Sequence, residues 1–250
     1  MSFYFADKTR VEIETYIDRG AVIILPVGQT EEHGRHLPVA TDAMIAQRFG
    51  DELGKALHLK LPVLVMETIC YGFSMSVIRK WPGCPNINTR TFTDYIFCIV
   101  DSLIEMGFKK IVMLDCHGNH DCLLRLVMRE IADKHNVYTM TLSPVDMSEA
   151  VYSKIKDDPE GDIHGGEWET SWMLAIAPEL VQKKEYTQVD AIRCNSILRG
   201  PVSTWGLQDS KTGLFGDPTY ASAEKGNALI EEAVKQGVIY IEEYYYHTFE

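Results

Sequence analysis

The chain has no Cys-x-x-Cys pair among its six cysteines, no excess of positive charge, and no apolar run approaching the ~20 residues that cross a bilayer. Each absence removes a class of protein. Scattered cysteines (Cys70, Cys84, Cys98, Cys116, Cys122 and Cys194) with no charged region and apolar signal core at the N-terminus point to reduced thiols and a cytoplasmic protein. A formal net charge of −12 argues against nucleic acid or an anionic membrane surface as partner, because both repel an acidic protein. A small-molecule substrate is the expected partner. Repeats, low-complexity segments and linkers are also missing, so the 250 residues, 46% of them hydrophobic, are expected to form one domain over residues 1–250.

What is present is an alternation of short apolar runs and helical periods. Runs rich in Val, Ile and Leu at Ala21 to Val27, Leu61 to Met66, Lys110 to Leu114 and Val137 to Leu142 lack strict alternation, as strands buried on both faces do. Helical stretches fall at Ala43 to Leu57, Thr91 to Met106, Asp121 to His135, Glu167 to Ala177 and Ala221 to Tyr244, while Lys183 to Thr219 reads as a long loop. This order predicts an α/β fold with a mostly parallel sheet covered by helices on both sides.

Polar clusters then fall where such a sheet binds ligands. Thr30-Glu31-Glu32-His33-Gly34-Arg35-His36-Leu37-Pro38-Val39-Ala40-Thr41-Asp42 follows the first strand and crowds carboxylates and imidazoles together. Zinc and manganese take those donors, and a catalytic site keeps one coordination position open for water. The alternative is a solvated polar loop. His117 follows the third strand, and in open parallel sheets loops beyond the carboxyl ends of strands converge. A third cluster, Asp162 to Ser171, opens a helix. Its glycines permit close backbone approach, and Glu167 and Glu169 lie in the first turn, where the helix dipole favours negative charge.

Together these segments resemble the creatininase family of metal-dependent hydrolases. The family's motifs are matched in order by Pro26-Val27-Gly28, by Glu31-Glu32-His33-Gly34-Arg35-His36 with Asp42, and by Asp115-Cys116-His117-Gly118-Asn119. They continue with His164-Gly165-Gly166-Glu167-Trp168-Glu169-Thr170-Ser171, then Gly216-Asp217-Pro218, Ala221 and Glu224-Lys225-Gly226. The resemblance runs from about residue 20 to about residue 235.

It implies a three-layer α/β/α fold, a dinuclear metal centre and a homo-oligomer, hexameric in related enzymes. By the resemblance Glu31, Asp42 and His117 hold one divalent ion, and His33, Asp42 and a further carboxylate hold the other, with Asp42 bridging. Creatinine-hydrolysing members take that carboxylate from two residues after the histidine matching His117, where this chain has Asn119; other branches take it from the position of Glu167. The implied ligands are therefore Glu31, His33, Asp42, His117 and Glu167, with Glu169 as partner or substitute. Zinc, manganese and iron all suit this set. Two such ions lower the pKa of a bridging water and polarise a carbonyl. His164 matches the family's proton-transfer histidine, a role suited to an imidazole pKa of about 6.5, so His164 and Glu169 are the catalytic candidates. Cys116 is not expected to be a nucleophile, because adjacent side chains at a strand end point in opposite directions.

Departures from the family pattern bear on the substrate. Where creatinine-hydrolysing members carry pocket tryptophans this chain has Val145 and Gly161, and the glutamate before the proton-transfer histidine is Ile163. Creatinine is therefore not the expected substrate. The loop Tyr71 to Gly83 lacks the family's Glu-His pair at Met75-Ser76 and adds Arg79 and Lys80, which suit an anionic or polyhydroxylated substrate or are plain surface charge. Arg79, Lys80, Trp81 and Trp168 are the substrate-binding candidates, with Trp205 as a further pocket residue. Attack of activated water on a small cyclic carbonyl compound, with amide C–N cleavage, is the first expectation. Hydrolytic C–C ring opening of a cyclic diketone such as 3-dehydro-scyllo-inosose, as in one branch of the family, is the alternative. A non-catalytic metal-binding module is the alternative of another class. The aromatic tail Ile241 to Phe249 adds to the expectation of an oligomer, since aromatic residues are enriched at interfaces.

Overall fold

Short β-branched runs separated by amphipathic helices build a parallel sheet covered on both faces. The computed structural model describes residues 2–159, 162–186 and 209–247; Gly161, Cys194, Trp205 and Phe249 lie outside them. In chain order the described residues form α1 (Arg10–Asp18), β1 (Val22–Val27), α2 (Thr41–Leu57), β2 (Val63–Val65), α3 (Ser76–Arg79) and α4 (Thr89–Met106). They continue with β3 (Lys110–Asp115), α5 (Asp121–His135), β4 (Met140–Leu142), α6 (Pro144–Ile155), α7 (Glu167–Ile176) and α8 (Ala223–Tyr246). Among them the strand order is β2-β1-β3-β4 and every pairing is parallel, with Val22 opposite Lys110 and Val27 opposite Asp115.

The two faces of β1 explain why its sequence does not alternate. Val22 and Ile24 pack with Phe49 and Leu53 of α2 and Leu229 of α8. Ile23 and Leu25 pack on the opposite side with Phe92 and Ile96 of α4 and Val127 of α5. Both faces are apolar because both are covered. The architecture is the expected α/β/α sandwich, and among the described residues no helix is long and apolar enough to cross a membrane.

Local chemistry sets the helix ends. Thr9 and Glu12 close a capping box on α1, Asn88 accepts from Thr91 N to start α4, and Ser222 accepts from Lys225 N to start α8. Gly107, at φ 116°, ends α4 in a conformation that side chains disfavour. Two strands are shorter than expected, and α1, α3 and α6 were not expected. For α6 the start signal was Pro144 in the first turn, which has the φ a helix needs, followed by Met147 and Tyr152 facing the core.

Strand order also locates the site. From β1 the chain crosses to β2 on one side, and from β3 it crosses to β4 on the other. The loops after β1 and β3 thus part at the carboxyl end of the sheet and leave a crevice between them.

Candidate metal centre

Three backbone contacts draw distant segments into that crevice. Cys116 N donates to Val27 O at 2.9 Å and ties the ends of β3 and β1 together, while Glu31 N donates to Val39 O at 2.9 Å and closes the loop before α2. Gly28 lets α2 approach: a Cβ there would stand 2.6 Å from Ala43 Cα. Asp42, in the first turn of α2, is thereby set between His33 and His117.

The geometry around Asp42 is that of a shared ligand. His33 Nε2 lies 3.0 Å from Asp42 Oδ1, and His117 Nδ1 lies 3.0 Å from Asp42 Oδ2 and 3.4 Å from Glu31 Oε1. His33 Nε2 is also 3.6 Å from Glu169 Oε2, and His164 Nδ1 is 3.6 Å from Glu31 Oε1. Among the described residues three groups of donors emerge: Glu31, Asp42 and His117; His33, Asp42 and Glu169; and Glu31, His33 and His164. Donors spaced in this way fit around a common ion at about 2.0–2.2 Å.

Backbone carbonyls fix which nitrogen each imidazole offers. His33 Nδ1 faces Glu31 O at 3.1 Å, His117 Nε2 faces Phe73 O at 3.1 Å, and His164 Nε2 faces Glu32 O at 2.7 Å. A carbonyl only accepts, so each of these nitrogens carries a proton and donates. The opposite nitrogen then turns a lone pair toward the carboxylates, the arrangement by which outer contacts prepare a metal-binding histidine. Lone pairs facing carboxylate oxygens at 3.0 Å require a cation. Both Glu31 oxygens and Asp42 Oδ2 are buried with no hydrogen-bond partner among the described residues, an arrangement that costs free energy unless a cation satisfies it. Without metal the field draws protons: burial opposes charge on His117, but Glu31 and Asp42 outweigh it and raise its pKa to about 9. On His33, burial is likewise outweighed, by Asp42 and Glu169. The donor set therefore fits divalent metal ions.

Glu167, expected as a ligand, is not among the donors grouped at the centre, where Glu169 stands instead. Its buried carboxylate accepts from Asp157 N at 3.0 Å and Asp158 N at 2.9 Å, and pairs with Lys225 of α8. Side chains two apart on a helix diverge by about 200°, so Glu167 and Glu169 cannot both face the crevice. Asp162 sets that helical register by accepting from Gly166 N, Trp168 N and Glu169 N.

A cleft of about 470 Å³ opens beside His117 and Glu169. Val145, Ile163 and Trp168 line it, and Arg125 is the one arginine or lysine among its described lining. Of the expected substrate contacts only Trp168 is there. Arg79 lies on α3, outside this lining, while Lys80 pairs with Asp209 and shares with Trp81 a separate open hollow. Cys116 lines the cleft, but burial, then Asp115 and Asp42, push its thiol well above the ordinary value, which disfavours a thiolate nucleophile.

The family model described as creatinine amidohydrolase matches residues 6–241. The chain belongs to the creatininase family. It is 26% identical over 251 residues to the 3-dehydro-scyllo-inosose hydrolase of Thermotoga maritima, covering 91% of this chain and 79% of that protein. Against the creatinine amidohydrolase of Pseudomonas putida it is 26% identical over 258 residues, covering 95% of each. A solved mutant creatininase structure of the Zn-Zn type superposes with a TM-score of 0.83 at 25% identity, covering 99% of this chain and 100% of that one. The creatininase-family relatives compared are hydrolases, and this chain, with its donor cluster in place, is a metal-dependent hydrolase.

Proposed function

We propose that the chain holds two divalent ions, zinc or manganese with iron also suited, and hydrolyses a small cyclic carbonyl compound. The observation that carries this reading is Asp42, which offers one oxygen toward His33 and the other toward His117. Glu31, Asp42 and His117 form one ligand group, and His33, Asp42 and Glu169 the other. When bound, such a pair of ions supplies a reactive water at neutral pH and polarises a carbonyl oxygen. His164 has its Nε2 proton committed to Glu32 O, so it would accept on Nδ1, at the face toward Glu31, the proton given up by the attacking water and pass it to the leaving group. Trp168, stacked on Tyr152 at 3.9 Å between ring centroids, gives the cleft a rigid apolar wall.

Within that chemistry, the cleft favours an uncharged, hydroxyl-bearing ring over an anionic one. Asp121, Asp146 and Ser143 line it against a single arginine, and Arg125 is already held by Asp121 at 2.7 Å. Carboxylates accept hydrogen bonds from hydroxyls and repel anions. Val145 and Ile163 supply no aromatic face or acidic group at their own positions, so the aromatic surface of the cleft comes from Trp168 and Trp172 instead. Ring opening of a cyclic diketone is the reading this lining supports, with cyclic amide cleavage as the second. Protein purified without chelator should carry two ions per chain, and when loaded with zinc or manganese should open a ketoinositol and leave creatinine unchanged. One ion or none, or creatinine turnover at the ~10⁴ M⁻¹s⁻¹ of ordinary enzymes, overturns the reading.

We also read the protein as a cytoplasmic homo-oligomer, with six chains as the assembly to test. Ile239, Tyr240 and Tyr246 of α8 are exposed, although Ile241 and Tyr244 pack into their own subunit. Large exposed apolar groups grouped on one element are suited to an interface. Light scattering after gel filtration should give a multiple of the 28.3 kDa chain, and a monomer defeats this expectation.

A further inference from the structure

The loop of residues 71–74, between β2 and α3, carries none of the proposed ligands, yet buried polar side chains grip it on both sides. Gln29 donates through Nε2 to Ser74 Oγ at 2.7 Å and to Gly72 O at 3.4 Å, and accepts from Gly72 N at 2.6 Å through Oε1. Asn86 Oδ1 accepts from Ser74 N at 2.8 Å. On the inner side Phe73 N donates to His120 Nε2 at 3.0 Å, and Phe73 O accepts from His117 Nε2 at 3.1 Å. Gln29, Ser74 and His120 are fully buried. The His120 ring stacks on Phe92 at 4.1 Å and meets His117 edge-on at 4.6 Å. The fit is tight, since a Cβ on Gly72 would stand 2.3 Å from His120 Nε2.

The bonds settle the protons. Phe73 N–H can only donate, so His120 Nε2 is the accepting nitrogen and His120 is neutral with its proton on Nδ1. Phe73 C=O can only accept, so His117 holds a proton on Nε2 and turns Nδ1 toward Glu31 and Asp42. One residue's backbone thus reads out the state of one histidine and imposes the state of the other. The geometry points to Gln29 and His120 as positioning residues: acting through the 71–74 loop, they aim Nδ1 of His117 into the metal centre. Gln29 acts only through the loop, while His120 also meets the His117 ring edge-on. Gln29 fixes the height of the loop from the β1 side, and His120 fixes it from the N-cap of α5. Phe73 O is therefore held where the imidazole must donate, and the ring cannot turn over without breaking that bond.

The inference rests on reading His117 as a metal ligand, but its first readout does not require metal. In His120→Phe the ring remains against Phe92 while the acceptor for Phe73 N–H is lost. The His117 Nε2 proton, observed by NMR in the metal-free protein, should then exchange faster with water. Zinc affinity at the His117 site should weaken about 10–100-fold, the usual effect of losing an outer partner of a metal-binding histidine. His120→Gln, which supplies an amide oxygen as acceptor, should recover both properties, and Gln29→Leu should lose both. If His120→Phe does not fold, Gln29→Glu makes the same comparison, because it keeps an acceptor for Gly72 N–H and loses the donor to Gly72 O, which a carboxylate cannot replace. A His117 Nε2 proton as protected as in the natural chain, with unchanged zinc affinity, overturns the proposal. A natural chain that protects this proton yet binds no zinc would instead overturn the metal reading and leave the positioning role standing.

Discussion

His164→Ala should lower kcat by about 10²–10⁴-fold, the usual contribution of a general acid–base group, while both metal ions stay in place. The expectation follows from how the ring is held. Its Nε2 donates to Glu32 O at 2.7 Å, and its Nδ1 stops 3.6 Å from Glu31 Oε1. The ring is buried against His33, with centroids 4.3 Å apart, and cannot reach bulk water freely. A proton it accepts on Nδ1 is therefore kept beside the reacting groups. Metal content by elemental analysis and single-turnover kinetics should separate the two properties. If metal is lost in step with activity, His164 belongs among the ligands, as its grouping with Glu31 and His33 would permit.

The parts of this centre that were legible in the sequence are those fixed by strand ends. Glu31 and His33 follow β1, and His117 follows β3; a parallel sheet brings such positions together whatever the detail of the loops. Asp42 was legible through the polar stretch and the family motif that ends on it, and it sits in the first turn of α2. Glu167 and Glu169 were not separable, because both open α7 and the helical register at its first turn is set by Asp162 and by Lys225, which is far away in the sequence. A shift of two residues reverses the direction of a helical side chain. The same limit applies to Arg79, Lys80 and Trp81, whose loop was legible but whose direction from it was not. Gln29 and His120 gave no signal of their own, since a lone buried amide or imidazole reads like any polar residue until its partners are known. In α6, by contrast, Ser143-Pro144 was a usable start signal ahead of Met147 and Tyr152.

The second large effect concerns stability and separates the two glutamates of α7. Lys225→Met should destabilise the metal-free protein by about 3–5 kcal/mol, the usual cost of leaving one partner of a buried ion pair without the other. For a chain of this size that corresponds to a fall in Tm of about 6–20 °C. Glu167 is fully buried and the Lys225 side chain is 16% exposed, so solvent screens the pair only weakly. Lys225 also reaches Asp157 at 2.6 Å and the Tyr220 carbonyl at 3.0 Å, which joins the segment before α7 to the start of α8. Glu167→Gln should cost less, because an amide oxygen still accepts from Asp157 N or Asp158 N and Lys225 keeps Asp157. Its metal content should stay at that of the natural chain. Glu169→Gln should show the opposite pattern, with little change in the stability of the metal-free protein and loss or weakening of the ion shared by His33 and Asp42. Calorimetry and elemental analysis on the three variants decide between a structural and a ligating role for each carboxylate. Full metal occupancy in Glu169→Gln, together with metal loss in Glu167→Gln at unchanged Tm, would return the ligand role to Glu167.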